Sequence, residues 1–158
     1  MTKQASFTIE AEPIDSPAAQ YALGEYVAEL GRRFPEGFDT SRAAPPAKGD
    51  FTPPVGEFLV VRVDGQVLGC GALRTEPGGI GEIRRMWIAP ELRGKGAGRA
   101  LLAALEERAR QHGCALVRLD TAAELHEARA LYASSGYREV PAYNDNQYAK
   151  HWFEKTMR

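Results

Sequence analysis

Apolar residues recur at Ala19, Ala22, Leu23, Tyr26, Val27 and Leu30, the i, i+3, i+4, i+7 series of one face of an amphipathic helix. Ser16 and Pro17 open that helix: the serine can cap the first amides and the proline suits the first helical position. Gly31 is expected to end it, and a short strand from Phe7 to Ile9 precedes it. Two β-rich runs, Phe58 to Val63 and Gln66 to Leu73, flank Asp64-Gly65, a pair that supplies the positive φ of a tight hairpin turn. A further strand is expected from Ile80 to Ile88, after Gly78-Gly79 and before Pro90. Leu101, Leu105, Ala109 and His112 mark a second helix closed by Gly113, and Ala115 to Leu119 reads as a short buried strand. Leu125, Ala128, Leu131 and Tyr132 mark a third helix closed near Gly136. Tyr137 to Val140 and Tyr148 to Phe153 read as two last strands around a Pro/Asn/Asp turn. The order β-α-loop-β-β-β-α-β-α-β-β predicts an α/β fold, a mixed sheet with helices packed on it, in one domain over residues 1–158.

Between Arg32 and Gly56 the pattern stops, with prolines at 35, 45, 46, 53 and 54. Loops of this length inside compact domains usually serve as lids or binding loops, or are disordered.

Composition narrows the function classes. The chain has 158 residues, 44% of them hydrophobic and 26% charged, which suits an ordinary folded domain. A formal net charge of -1 leaves no bulk basic surface for duplex DNA or anionic lipid, so neither nucleic acid nor membrane is an expected partner. Apolar runs fall far short of the roughly 20 residues a membrane helix needs. The opening Met-Thr-Lys-Gln-Ala lacks the apolar stretch of a secretory signal, so a cytoplasmic location is expected. Cys70 and Cys114 have no Cys-x-x-Cys spacing, and His112, His126 and His151 fall in separate elements. Neither a disulfide scaffold nor a metal site is expected.

The chemistry begins at Arg93-Gly94-Lys95-Gly96-Ala97-Gly98-Arg99, which lies between a strand and a helix. The first amides of a helix lack partners and carry partial positive charge, so they favour an anion. Glycines let the backbone approach phosphate oxygens and adopt positive φ. A dinucleotide fingerprint would need glycine where Arg99 stands. A Walker A loop would need Lys-Ser or Lys-Thr, whereas Gly96 follows Lys95. The turn by itself indicates a phosphate-bearing ligand.

The run Glu82-Ile-Arg-Arg-Met-Trp-Ile-Ala-Pro90 followed by Arg93-Gly-Lys-Gly-Ala-Gly98 resembles the acetyl-CoA-binding segment of the GNAT superfamily of N-acetyltransferases. Leu131-Tyr132-Ala-Ser-Ser-Gly136-Tyr137 resembles a second family segment. The resemblance implies a mostly antiparallel central sheet with helices on both faces, and acetyl-CoA as co-substrate with no metal. It implies that a primary amine attacks the thioester directly in a ternary complex. Met86, Trp87 and Ile88 would then meet the pantetheine and thioester carbonyl, and the Gly94 to Arg99 amides, with Arg93, would meet the pyrophosphate. Tyr132 takes the place of the usual general acid, and Glu82 that of the base in the histone acetyltransferase branch, with a water chain as the alternative. Leu125 stands where the family often has asparagine seven residues before the tyrosine.

The acceptor, a small molecule or a peptide amine, is not written in any motif. Arg33, Phe34 and Phe38 are candidates for its side of the site, with the Arg32 to Gly56 segment as a lid. A catalytically silent acyl-CoA-binding sensor would keep the glycine turn but need neither Glu82 nor Tyr132.

Overall fold

A computed structural model describes residues 6–39 and 49–157. Ser16 caps the first helix as expected: its Oγ accepts from the Ala19 amide at 3.1 Å, and Pro17 is the first helical residue. The helix, α1 (Pro17–Arg33), follows strand β1 (Thr8–Ala11). It does not stop at Gly31. The last turn is retained because Leu30 and Phe34 are buried together against Ala122, and the Phe34 amide closes the helix on the Leu30 carbonyl at 3.0 Å. That packing outweighs the roughly 1 kcal/mol that glycine costs a helix interior.

Strands β2 (Gly56–Val63) and β3 (Gln66–Glu76) form the hairpin, with Asp64 at φ 50° and Gly65 at φ 80° in its turn. Next come β4 (Ile80–Ile88), a single 3-10 turn at Pro90–Leu92, α2 (Ala97–Gln111), β5 (Leu116–Thr121) and α3 (His126–Ser134). Strands β6 (Arg138–Val140) and β7 (His151–Thr156) end the chain. The last strand therefore starts three residues later than the pattern suggests. Its register is set by pairing with the whole of β5, from Thr121↔His151 to Leu116↔Thr156, which leaves Tyr148 outside the ladder.

The seven strands form one sheet in the order β1-β2-β3-β4-β5-β7-β6, and only β4 and β5 run parallel. Helices cover both faces, which is why Phe58, Leu59, Val60 and Val61 of β2 are all buried although they alternate in direction. On one face, α2 packs Leu101 and Leu105 over Gly71. On the other lies α1, whose Ala19 and Ala22 are fully buried. Part of the expected lid, residues 40–48, lies outside the described residues. Its far end is packed on the sheet: Phe51 is buried, and the Thr75 amide donates to the Val55 carbonyl at 2.8 Å. Among the described residues, no helix is long and apolar enough to cross a membrane.

Gly56 starts β2 where three backbones converge, and a Cβ there would overlap the carbonyl oxygens of Leu73 and Asp50. Gly56→Ala is therefore expected to destabilise the fold by about 3 kcal/mol, the upper end of overpacking costs. An unchanged urea midpoint would contradict this.

Candidate active site

The site originates in a fault between neighbouring strands. Strand β4 pairs with β5 only from Ile80 to Glu82, opposite Leu116 to Arg118. Beyond that the two strands part, and among the described residues the β5-facing edge of β4 has no strand partner. The register with β3 slips at the same place, from Ala72↔Arg84 to Cys70↔Trp87, so β4 carries one residue more than its partner. Arg85 absorbs the extra residue at φ 58°, and the Cys70 thiol donates to its carbonyl at 3.3 Å. Such bulges bend a strand and reset its alternation. Glu82, Arg84, Arg85 and Trp87 consequently share the α1 face, while Ile83, Met86 and Ile88 share the α2 face.

A cavity of about 460 Å³ lies along the far part of β4 and the start of α2. Nine of the ten residues expected to contact the cofactor line it; Lys95 does not. Gly94 and Gly96 have φ of 76° and 83°, and no side chain caps α2. The amides of its first turn are thus presented to the cavity with the partial positive charge of the helix terminus. The arginines are already engaged by protein groups. Arg93 donates from Nε to the Ile88 carbonyl at 3.0 Å and pairs with Glu29. Arg99 donates to Ser134 Oγ at 2.8 Å and Ser135 Oγ at 3.1 Å, tying α2 to α3.

A second cavity, of about 420 Å³, opens on the α1 side. Phe34 and Phe38 line it with Tyr148, whose ring centroid lies 5.0 Å from the Phe34 ring and 4.8 Å from the Phe38 ring. Arg33 is not part of this wall. It lines the first cavity, with its guanidinium 2.7 Å from Glu127 Oε2 and 3.0 Å from the Glu124 carbonyl. Its charged side chains are Arg84, Arg85 and Asp120, and Tyr26, Thr121 and Asn146 are among its other polar groups. Asp120 is held from both sides, by Asn144 Nδ2 at 2.8 Å and Asn146 Nδ2 at 3.1 Å.

The two cavities meet. Tyr26, Met86, Leu125, Ala128 and Tyr132 line both, and the Tyr132 hydroxyl points to Met86 Sδ at 3.9 Å. Burial, then the nearby Tyr26 and Asp120, push the Tyr132 phenol well above the ordinary tyrosine range, so it holds its proton. Leu125 keeps this junction apolar where an asparagine would have offered a polar contact.

Glu82 lines neither cavity. It is buried at the root of the split, with Oε1 3.4 Å from Arg84 Nε and 3.6 Å from Arg74 NH2. Burial raises its carboxyl despite both arginines. The Cys70 thiol is pushed up to about 12 by burial and faces no base, which disfavours an acyl-cysteine route. His112 meets Glu57, and His151 meets Glu139. Among the described residues no cluster of three metal-ligating side chains occurs. Asp120 and Tyr26 went unread in the sequence. The available signal for Asp120 was a charged residue alternating with buried Leu119 and Thr121 at the end of a strand.

The model of the Acetyltransferase (GNAT) family matches residues 24–137. The uncharacterized N-acetyltransferase YjgM of Escherichia coli K12 is 30% identical over 133 residues, covering 80% of this chain and 78% of that protein. IAA acetyltransferase of Azospirillum brasilense is 40% identical over 83 residues, 52% of this chain, and the match spans only 54% of that relative's length. A GNAT acetyltransferase from Elizabethkingia anophelis, crystallised with acetyl-CoA bound, superimposes with a TM-score of 0.66 at 16% identity, over 96% of this chain and 98% of that one.

Tyr132 and Tyr137 are both buried, and burial raises both phenols; for Tyr137 the adjacent Glu106 adds to the effect. Up to about pH 10 both stay protonated whether the chain is folded or unfolded. Above it, the unfolded tyrosines release protons that the folded ones keep, so stability falls by about 1.4 kcal/mol per pH unit for each group. Denaturant midpoints measured from neutral to strongly alkaline pH check this. The slope should be shallower in Tyr137→Phe, and an equal slope would contradict the assignment.

Proposed function

Because the chain belongs to the acetyltransferase (GNAT) family, we propose that it moves the acetyl group of acetyl-CoA to an amine held in the second cavity, by direct attack within a ternary complex. The observation that carries this reading is the meeting of two cavities at Tyr132 and Met86, where β4 and β5 part. One cavity carries the glycine turn and an uncapped helix start suited to pyrophosphate. The other carries acidic, basic and aromatic side chains suited to an amine-bearing molecule. A silent acyl-CoA sensor has no use for the second cavity.

In this reading the amides of Gly94 to Arg99 hold the pyrophosphate. The unpaired edge of β4 at Met86 to Ile88 receives the pantetheine arm and donates to the thioester carbonyl, where negative charge develops on oxygen. The neutral amine nitrogen attacks the carbonyl carbon, the C–S bond breaks, and the nitrogen gives up a proton while the sulfur gains one. Tyr132 supplies the sulfur's proton, since its phenol is protonated and sits at the junction. Asp120 takes the proton from the amine, directly or through water, because its carboxylate lines the acceptor cavity. Glu82, the base expected from the sequence, instead holds Arg84 and Arg74 at the root of the split. Phe34 and Phe38 serve the acceptor, and Arg33 orders the junction between α1 and α3.

Gly96→Val places a β-branched residue at φ 83° beside the phosphates. It should weaken CoA binding at least about tenfold, or 1.4 kcal/mol. Calorimetry finding wild-type affinity in the folded variant would contradict this. Tyr132→Phe should lower kcat by about 10²-fold or more with little change in acetyl-CoA affinity. Full kcat where chemistry limits turnover would reduce Tyr132 to packing.

A further inference from the structure

The bulge in β4 does more than part the strands. In an unbroken strand Arg84 and Arg85 would point to opposite faces; here both line the acceptor cavity. The two guanidinium groups differ in how their charge is met. Glu82 lies 3.4 Å from Arg84 Nε. Arg85 has no ion pair among the described residues and rests 5.3 Å from the centre of the buried Phe51 ring. It is half-buried, so it loses hydration without a direct ion pair; the Asp50 carboxylate acts on it only at longer range, and the aromatic face offsets part of the rest. Asp120, the carboxylate lining the same cavity, is taken up by Asn144 and Asn146 rather than by Arg85. The cavity wall thus presents, beside the Glu82-paired Arg84, one cation without a direct ion pair and one carboxylate, the complement of a molecule carrying both charges.

We propose that the acceptor is a small zwitterion whose carboxylate or phosphonate is bound by the Arg85 fork while its amine lies beside Asp120. The planar guanidinium presents paired donors that match either oxyanion in two parallel hydrogen bonds. With a volume of about 420 Å³ the cavity is in the range of small-molecule sites rather than extended grooves. Phe34, Phe38 and Tyr148 form its apolar end, which receives the remainder of the acceptor. This inference rests on the acetyl-transfer reading above and adds to it the class of acceptor.

The test is thiol release from acetyl-CoA with matched acceptors: glycine, aminomethylphosphonate and methylamine, then phenylalanine and phenylethylamine. At least one anion-bearing member should exceed its counterpart without the oxyanion in kcat/KM by about tenfold or more, and the carboxylate and phosphonate arms show which oxyanion is preferred. Arg85→Asn removes the charge while keeping a residue that accepts the left-handed backbone. In it the preference should fall below about threefold through a raised acceptor KM, with acetyl-CoA binding retained. Arg85→Lys, which keeps charge without the fork, should be intermediate. Amines without an oxyanion accepted as well as their zwitterionic partners, or a preference that survives Arg85→Asn, would overturn the inference and leave acetyl transfer standing. If no amine of either kind releases thiol above the acetyl-CoA blank, the acetyl-transfer reading fails and takes this inference with it.

Discussion

Between Cys70 and Ala72 of β3, strand β4 carries one residue more than its neighbour, and Arg85 takes the left-handed conformation that accommodates it. That conformation costs an ordinary residue about 1–2 kcal/mol. The thiol of Cys70 on the Arg85 carbonyl and the Phe51 ring beneath the guanidinium offset part of the cost. In return the bend turns β4 away from β5 after three paired residues. Without the split β4 and β5 would stay paired where the two cavities now meet.

A split in a sheet has to be held open, and α1, α2 and α3 do so from outside it. Helix α2 is fastened along its C-terminal half by two buried carboxylates, and near its start by Arg99 on Ser134 and Ser135. Glu57 of β2 takes Arg108 at 2.7 Å and His112 at 2.9 Å; Glu106 takes the Tyr137 hydroxyl at 2.8 Å and Lys155 at 3.1 Å. Both carboxylates are buried with their hydrogen bonds made, so moving α2 would leave a charge unpaired, a costly state. The uncapped start of the helix is thereby fixed beside the far part of β4. On the other face, the Glu29 to Arg93 pair ties α1 to the glycine turn. The same arginine braces the turn against the Ile88 carbonyl.

Two kinds of polar group surround the junction. Glu82 is buried between the half-buried Arg74 and Arg84, and Arg74 also meets Glu76 and Asp50. Asp120 and Arg85 line the second cavity and are not paired with each other. Groups of the first kind hold the backbone of β4 and β5 where they diverge. Groups of the second kind have side chains left for a ligand.

Local patterns in the sequence determined a great deal about this protein. Helical periodicity, the Ser16-Pro17 start, the Asp64-Gly65 turn and the glycine turn before α2 are each decided within a few residues by capping and φ preferences. Most element positions and the glycine turn that opens α2 were therefore legible. The end of α1 and the register of β7 were not, because Leu30 and Phe34 pack on Ala122 and because β7 pairs with β5. Glu82 is read along the chain from its position relative to Gly96, whereas its contacts with Arg84 and Arg74 are set by the fold. The bulge at Arg85 left no mark in the alternation of β4, since a single extra residue is visible only against the register of β3. Asp120, Tyr26 and Tyr148 come together from β5, α1 and the loop before β7, and only the folded chain brings those segments to one cavity. Chemistry carried by one turn is readable along the chain, whereas chemistry shared between strands and helices is decided by long-range packing.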